Sequence, residues 1–182
     1  MIDYLILVDE NDNPQGKLEK LQVHQKGLLH RAFSVYIFNS NGELLLQQRA
    51  DEKYHSAGLW TNTCCSHPRF GEEVVDAIER RLMEEMGMNC TTNFAFSFIY
   101  KAVFDNGLTE YEFDHVYVGI SDVPPIPEVS EVKNWKYIHL QKLQEDILQN
   151  PQQYTEWMKI SLPNVIAHFN NNIKFAINNA TL

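Results

Sequence analysis

Basic residues are in short supply in this chain. Lys and Arg total 15 against 24 Asp and Glu, a formal net charge of −9 over 182 residues. That balance argues against nucleic acid or an anionic membrane as partner, since both ask for a basic face. Cysteine is scarce too. Cys64, Cys65 and Cys90 are an odd number with two adjacent, a poor disulfide framework. They point to a reducing compartment, with thiols buried or free for chemistry. Long apolar runs are missing: nothing approaches the roughly 20 residues of a membrane span. The early run Tyr4-Leu5-Ile6-Leu7-Val8 is flanked by acids and lacks the basic segment of a secretory signal. There is no internal repeat, low-complexity tract or long linker. The expectation is a cytoplasmic protein without nucleic acid or membrane as partner, a monomer or weak homodimer.

What is present suits one domain over residues 1–182. A chain of about 150 residues already hides roughly two-thirds of its unfolded surface. An apolar content of 44% and a charged content of 21% are ordinary for a globular protein. Residues 4–8 read as a strand closed by turn residues at 11–16, and 17–22 as a second extended piece. Residues 32–38 and 44–49, around Asn39-Ser40-Asn41-Gly42, read as a β-hairpin, and 53–62 as a loop. Residues 72–86 form the clearest helix, with Val74, Val75, Ile78, Leu82, Met83 and Met86 on one stripe and Gly87 at its end. Segments 94–104 and 110–120 alternate as strands, the first with Phe94, Phe96, Phe98 and Tyr100 on one side. Residues 133–140 complete the strands. Residues 141–149 and 154–178 read as helical, with breaks at Pro151 and Pro163. The order predicts an α/β (or α+β) sandwich.

Several side chains could carry chemistry. Glu110 and Glu112 lie two apart on a strand, so they share a face, and Asp114 continues the row. Like charges in a row repel, unless the face is solvated or a metal ion lies among them. His24, His30 and His67 have no helical ligand spacing. With the two glutamates they would make a mixed nitrogen and oxygen site for a divalent ion such as Mn²⁺, Mg²⁺ or Zn²⁺. Cys64 and Cys65 read equally well as small core residues and as reactive thiols.

The strongest pattern runs from Ser66 through Glu72 to Arg80-Arg81-Leu82-Met83-Glu84-Glu85-Met86-Gly87-Met88. It resembles the Nudix box, in which acids at one helix end hold divalent cations that bind a diphosphate. Ser66 replaces the leading glycine. Arg81 replaces a glutamate of the metal-binding set, which argues against pyrophosphate hydrolysis. Thr61-Asn62-Thr63-Cys64-Cys65-Ser66-His67-Pro68, the Arg81 variant and Glu110-Tyr111-Glu112 together resemble the type 1 isopentenyl-diphosphate isomerases, a Nudix-fold family. The likeness runs from about Leu18 to Glu112 and more loosely to Trp157. It implies a mixed sheet between helices. It also implies a divalent metal on His24, His30, His67, Glu110 and Glu112, and a Mg²⁺ arriving with the substrate diphosphate near Glu85 and Cys65. Lys20, Arg49, Lys53 and Arg81 would bind the diphosphate, and Arg69 is a further candidate. Cys65 and Glu112 would move the protons, Tyr100 would assist Glu112, and Trp157 would face a carbocation. A Nudix pyrophosphohydrolase acting on a nucleoside diphosphate derivative is the alternative.

Overall fold

The computed structural model describes residues 3–53, 55–174 and 177. Period-two alternation yields nine strands among them. These are β1 (Tyr4–Val8), β2 (Pro14–Glu19), β3 (His30–Phe38), β4 (Glu43–Arg49), β5 (Trp60–Thr61), β6 (Cys64–Ser66), β7 (Thr92–Val103), β8 (Thr109–Ile120) and β9 (Val132–His139). The helices are α1 (Lys20–Lys26), α2 (Val74–Met86), α3 (Leu140–Gln149) and α4 (Glu156–His168). All nine strands join one mixed sheet, in which β3 and β8 run parallel over their length and the other pairs are antiparallel.

Alternation then decides the layers. Tyr36, Phe38, Leu44, Leu46, Val116 and Val118 point to one face and pack against Leu143 of α3 and Trp157, Met158, Leu162 and Val165 of α4. Phe33, Val35, Ile37 and Leu45 point to the other and pack against Ala77, Ile78, Leu82 and Met86 of α2. Each fully buried aliphatic side chain contributes roughly 1.5–3 kcal/mol, so both helix layers are held by apolar burial. The result is the expected sheet between helices. Gly87 ends α2 in the left-handed conformation at φ 59, where a Cβ would lie 2.3 Å from the carbonyl oxygen of Ile126. That close approach lets the strap before β9 bond to the helix end, from Ile126 N to Met86 O and from Glu128 N to Glu85 O.

The local expectations need five corrections. Residues 17–22 are not one extended piece: the chain turns into α1 at Lys20, capped by the Glu19 carboxylate, which accepts from the Leu21 and Gln22 amides. Seven residues are under two turns, too few for helical periodicity to register. The hairpin of β3 and β4 opens after a single pair, Phe38 with Leu44, because β6 takes the β3 edge and β9 takes β4. Val75 and Met83 are about half exposed, so the buried stripe of α2 is narrower than its apolar composition. An irregularity between Phe94 and Phe96 turns Phe94 to the opposite face, against Tyr117 and His115. Finally, Pro163 lies inside α4 without ending it, on the exposed side of the helix. Of the final helix expected over 154–178, α4 and the turn Phe169–Ile173 are described; residues 175, 176 and 178 lie outside the described residues.

Candidate active site

The octet Thr61–Pro68 acts as a wedge. Where β3 and β4 part, Thr63 Oγ1 accepts the Ile37 N–H at 2.9 Å and donates to Leu45 O at 2.6 Å. Asn62 Nδ2 donates to Val35 O and Cys64 O. Side chains thus replace ladder bonds that the splayed hairpin lacks. The wedge delivers β6 to the edge of β3, and strand alternation separates the two cysteines. Cys64 joins the core under α2, while half-buried Cys65 opens on a cavity. The same octet holds the indole of Trp157, whose Nε1–H donates to Thr61 Oγ1 at 2.9 Å and Asn62 Oδ1 at 3.2 Å.

On the cavity side of β8, Glu110, Glu112 and Asp114 are all buried, so the row is not a solvated face. His30 pairs with Glu112 across the parallel β3–β8 ladder, α1 supplies His24 and the octet supplies His67. One ligand atom from each of His24, His30, His67, Glu110 and Glu112 lies within 4.8 Å of every other. His24 Nδ1 faces Lys20 O at 2.7 Å and His30 Nδ1 faces Leu28 O at 2.8 Å. A carbonyl only accepts, so both Nδ1 atoms carry the hydrogen and both Nε2 lone pairs point inward. There His24 Nε2 stands 3.0 Å from Glu110 Oε2, and His30 Nε2 stands 3.7 Å from Glu110 Oε2 and from Glu112 Oε1. Lone pairs and carboxylate oxygens crowded together repel one another. A divalent cation among them converts the repulsion into coordination, and this donor set fits one. Burial holds His30 down to about 4 and His67 well below its ordinary value, which keeps both imidazoles neutral and able to ligate.

The two glutamates separate electrically. Burial works to raise Glu110, but the neighbouring His24 and His55 side chains outweigh it and hold the carboxyl well below its usual range. Burial, with the charges of Glu110 and Asp114, pushes Glu112 well above that range. Tyr100, directly opposite Glu112 in the β7–β8 ladder, donates its O–H to Glu112 Oε2 at 2.7 Å. Burial also pushes the Cys65 thiol up to about 12, against a lowering influence from Arg49. Two groups able to exchange protons, Cys65 and Glu112, thus line one cavity from strands on opposite sides of β3.

Four cations line that cavity with them: Lys20, Arg49, Lys53 and Arg81. Burial lowers Lys20, with Glu110 partly opposing. Arg81 donates to Glu85 and to Glu131, and Lys53 also pairs with Glu131. Glu85 is buried and accepts from Gln47 Nε2 at 2.8 Å. It lines the cavity but stands apart from the His/Glu cluster, as does Cys65.

The NUDIX domain family matches residues 28–158. Isopentenyl-diphosphate Delta-isomerase 2 of Photorhabdus laumondii is 52% identical over 159 residues, covering 87% of this chain and 90% of that protein. Isopentenyl-diphosphate Delta-isomerase of Pectobacterium atrosepticum is 48% identical over 161 residues, covering 88% and 90%. The chain belongs to the isopentenyl-diphosphate Delta-isomerase family, within the Nudix fold. Solved structures carry the fold at lower identity. DR0079 of Deinococcus radiodurans superposes with a TM-score of 0.73 at 19% identity, covering 87% of this chain and 96% of that one. A MutT NUDIX hydrolase of Burkholderia pseudomallei gives 0.59 at 21%, covering 75% and 98%.

Of the expected site residues, Arg69 alone belongs to neither the cavity lining nor the His/Glu cluster. Arg69 is about half exposed on the outer surface, where its Nε donates to Asp3 at 3.1 Å. Position beside the octet did not carry it inward, because alternation and the turn after Pro68 send the side chain away. Three residues at the site escape sequence reasoning: His55, Gln47 and Glu131. His55 lies in a segment without periodicity. Gln47 reads as an ordinary strand residue. Glu131 sits in the strap, which the Ile126 and Glu128 backbone bonds tie to α2 and the Ala50 N–H ties to the end of β4.

Proposed function

We propose that this chain interconverts isopentenyl diphosphate and dimethylallyl diphosphate. The observation that carries the reading is the cavity in which Cys65 and Glu112 meet beside the His/Glu cluster and under four cations. Lys20, Arg49, Lys53 and Arg81 grip the diphosphate, the arginines by the planar fork that suits phosphate oxygens. A proton adds to the terminal carbon of the alkene, a tertiary cation develops at C3, and a different proton leaves C2. Cys65 and Glu112 take one transfer each, and the buried surroundings keep water from capturing the cation. Tyr100 holds Glu112 in place through its hydrogen bond. Trp157 is buried and lines the cavity, its N–H bonded to Thr61 and Asn62 and the Arg49 guanidinium 5.3 Å from its ring centroid, so its π-surface already faces positive charge. Such a contact is worth about 2 kcal/mol when desolvated. His24, His30, His67, Glu110 and Glu112 would hold a divalent ion, which would neutralise the buried carboxylates, and Mn²⁺, Mg²⁺ and Zn²⁺ all suit these ligand types. Glu85, with the Cys65 region, is suited to a Mg²⁺ arriving with the diphosphate.

Hydrolysis of a nucleoside diphosphate derivative is the rival. Arg81 argues against it, because a cation stands where the Nudix box has an acid of the hydrolytic metal set. The test is conversion of isopentenyl diphosphate in D₂O with and without a chelator. The expected result is deuterium in the product methyl group, lost on chelation. Phosphate release from nucleoside diphosphate derivatives with no isomerisation would overturn the proposal.

A further inference from the structure

The segment between β4 and β5 turns sharply inward. Ser56 takes the left-handed conformation at φ 50, unusual for a residue with a side chain, and Gly58 follows at φ 71. Gly58 N donates to Arg49 O and Leu59 N to Ser56 O. The turn drives His55 into the protein, where it is 9% exposed. Its ring stacks on Phe104 at 5.0 Å and 16°, and meets Trp157 edge-on at 6.0 Å and 86°. His55 Nε2 lies 3.0 Å from Glu110 Oε1 and Nδ1 lies 3.3 Å from Ser56 Oγ. The Glu110 carboxylate only accepts, so Nε2 carries the hydrogen and donates to it, which leaves Nδ1 to accept from the Ser56 hydroxyl. The His55 carbonyl accepts from Arg49 Nη2 at 3.2 Å. One residue therefore touches a carboxylate of the His/Glu cluster, a wall of the cavity and a cation of the diphosphate grip. It is not among the five residues whose ligand atoms converge, so it acts through Glu110.

We propose that His55 is a positioning residue: its Nε2–H occupies Glu110 Oε1 and so aims Oε2 at the point where His24 and His30 converge. Phe104 and the Ser56 turn hold the ring in that direction. Hydrogen bonds of this kind to a ligating carboxylate typically change metal affinity by about 10- to 100-fold. The inference rests on the cluster being a divalent metal site, and only its turnover measurement rests on the isomerase reading.

The test measures Mn²⁺ affinity by chelator competition for the native chain, His55→Phe and His55→Gln. Phenylalanine keeps the stack on Phe104 and removes the donor; glutamine keeps an N–H donor. We expect His55→Phe to bind Mn²⁺ about 10- to 100-fold more weakly, and His55→Gln to recover much of the loss. At saturating Mn²⁺ the isomerisation kcat of His55→Phe also falls, because Glu110 still lacks its aim. Mn²⁺ affinity unchanged in His55→Phe overturns the proposal, as does an equal loss in both variants, which would mark a purely packing role. If His55→Phe does not fold, His55→Leu against His55→Gln gives the same comparison. A native chain that binds Mn²⁺ with this dependence but does not isomerise would sink the isomerase reading and leave the role of His55 standing.

Discussion

Replacing Tyr100 by phenylalanine removes one oxygen atom from the site and little else. The ring is 6% exposed and stacked on Phe98 at 5.6 Å and 26°, so the variant keeps its packing. What it loses is the donor to Glu112 Oε2 at 2.7 Å. A hydrogen bond to a charged or developing carboxylate is worth about 1.5–3 kcal/mol. At about 1.36 kcal/mol per tenfold, kcat should fall by about 10- to 150-fold. KM should stay nearly unchanged, because the diphosphate grip consists of Lys20, Arg49, Lys53 and Arg81. The measurement is the rate of deuterium incorporation from D₂O at saturating divalent metal, across substrate concentrations. Full activity in Tyr100→Phe, or a loss carried wholly by KM, would refute the reasoning that Tyr100 serves the proton transfer at Glu112.

Cys65→Ala and Glu112→Gln should each abolish deuterium incorporation while leaving the far-ultraviolet circular dichroism unchanged; normal exchange in Cys65→Ala would show that the acid–base pair is misassigned. Asp114 is pushed by burial from its ordinary 3.8 up to about 7, with the Ser34 hydroxyl partly opposing. The native chain thus holds a proton that the unfolded chain sheds, and this group's contribution is lost as pH rises from about 4 to about 7. With the divalent ion chelated, Asp114→Asn should match the native chain below pH 4 and become progressively the more stable of the two as pH rises toward 7. Urea unfolding at several pH values reads this directly, and a gap that does not widen with pH would contradict the assigned burial. Arg69→Ala should leave KM for isopentenyl diphosphate unchanged, since the side chain pairs with Asp3 outside the cavity; a large rise in KM would return Arg69 to the diphosphate grip.

Most of the candidate site was legible because its residues sit in patterns with local meaning. Alternation put Glu110, Glu112 and Asp114 on one face, and the box helix placed Arg81 and Glu85 a turn apart. The unusual octet marked Cys65 and His67. Arg69 was misread because adjacency to a motif says nothing about which way a side chain leaves the chain. His55 was unreadable because its entry depends on the left-handed Ser56 and on Phe104, nearly fifty residues away. Likewise the hairpin reading captured two strands but not their parting, since β6, β8 and β9 compete for their edges.

The sequence by itself determined most of the strands and the box helix, through period and capping that act over a few residues, while the candidate metal ligands and the proposed acid–base pair were legible through the family resemblance of the octet and the box. Tertiary structure alone decided that His24 and Glu110, eighty-six positions apart in the sequence, stand 3.0 Å from each other. It also decided that Cys64 faces the core while Cys65 faces the cavity, and that Glu112 rather than Glu110 is pushed upward. Those outcomes depend on the register of β8 against β3 and on how the two helix layers bury the sheet. Both are set by packing and desolvation between distant segments, to which local periodicity is blind.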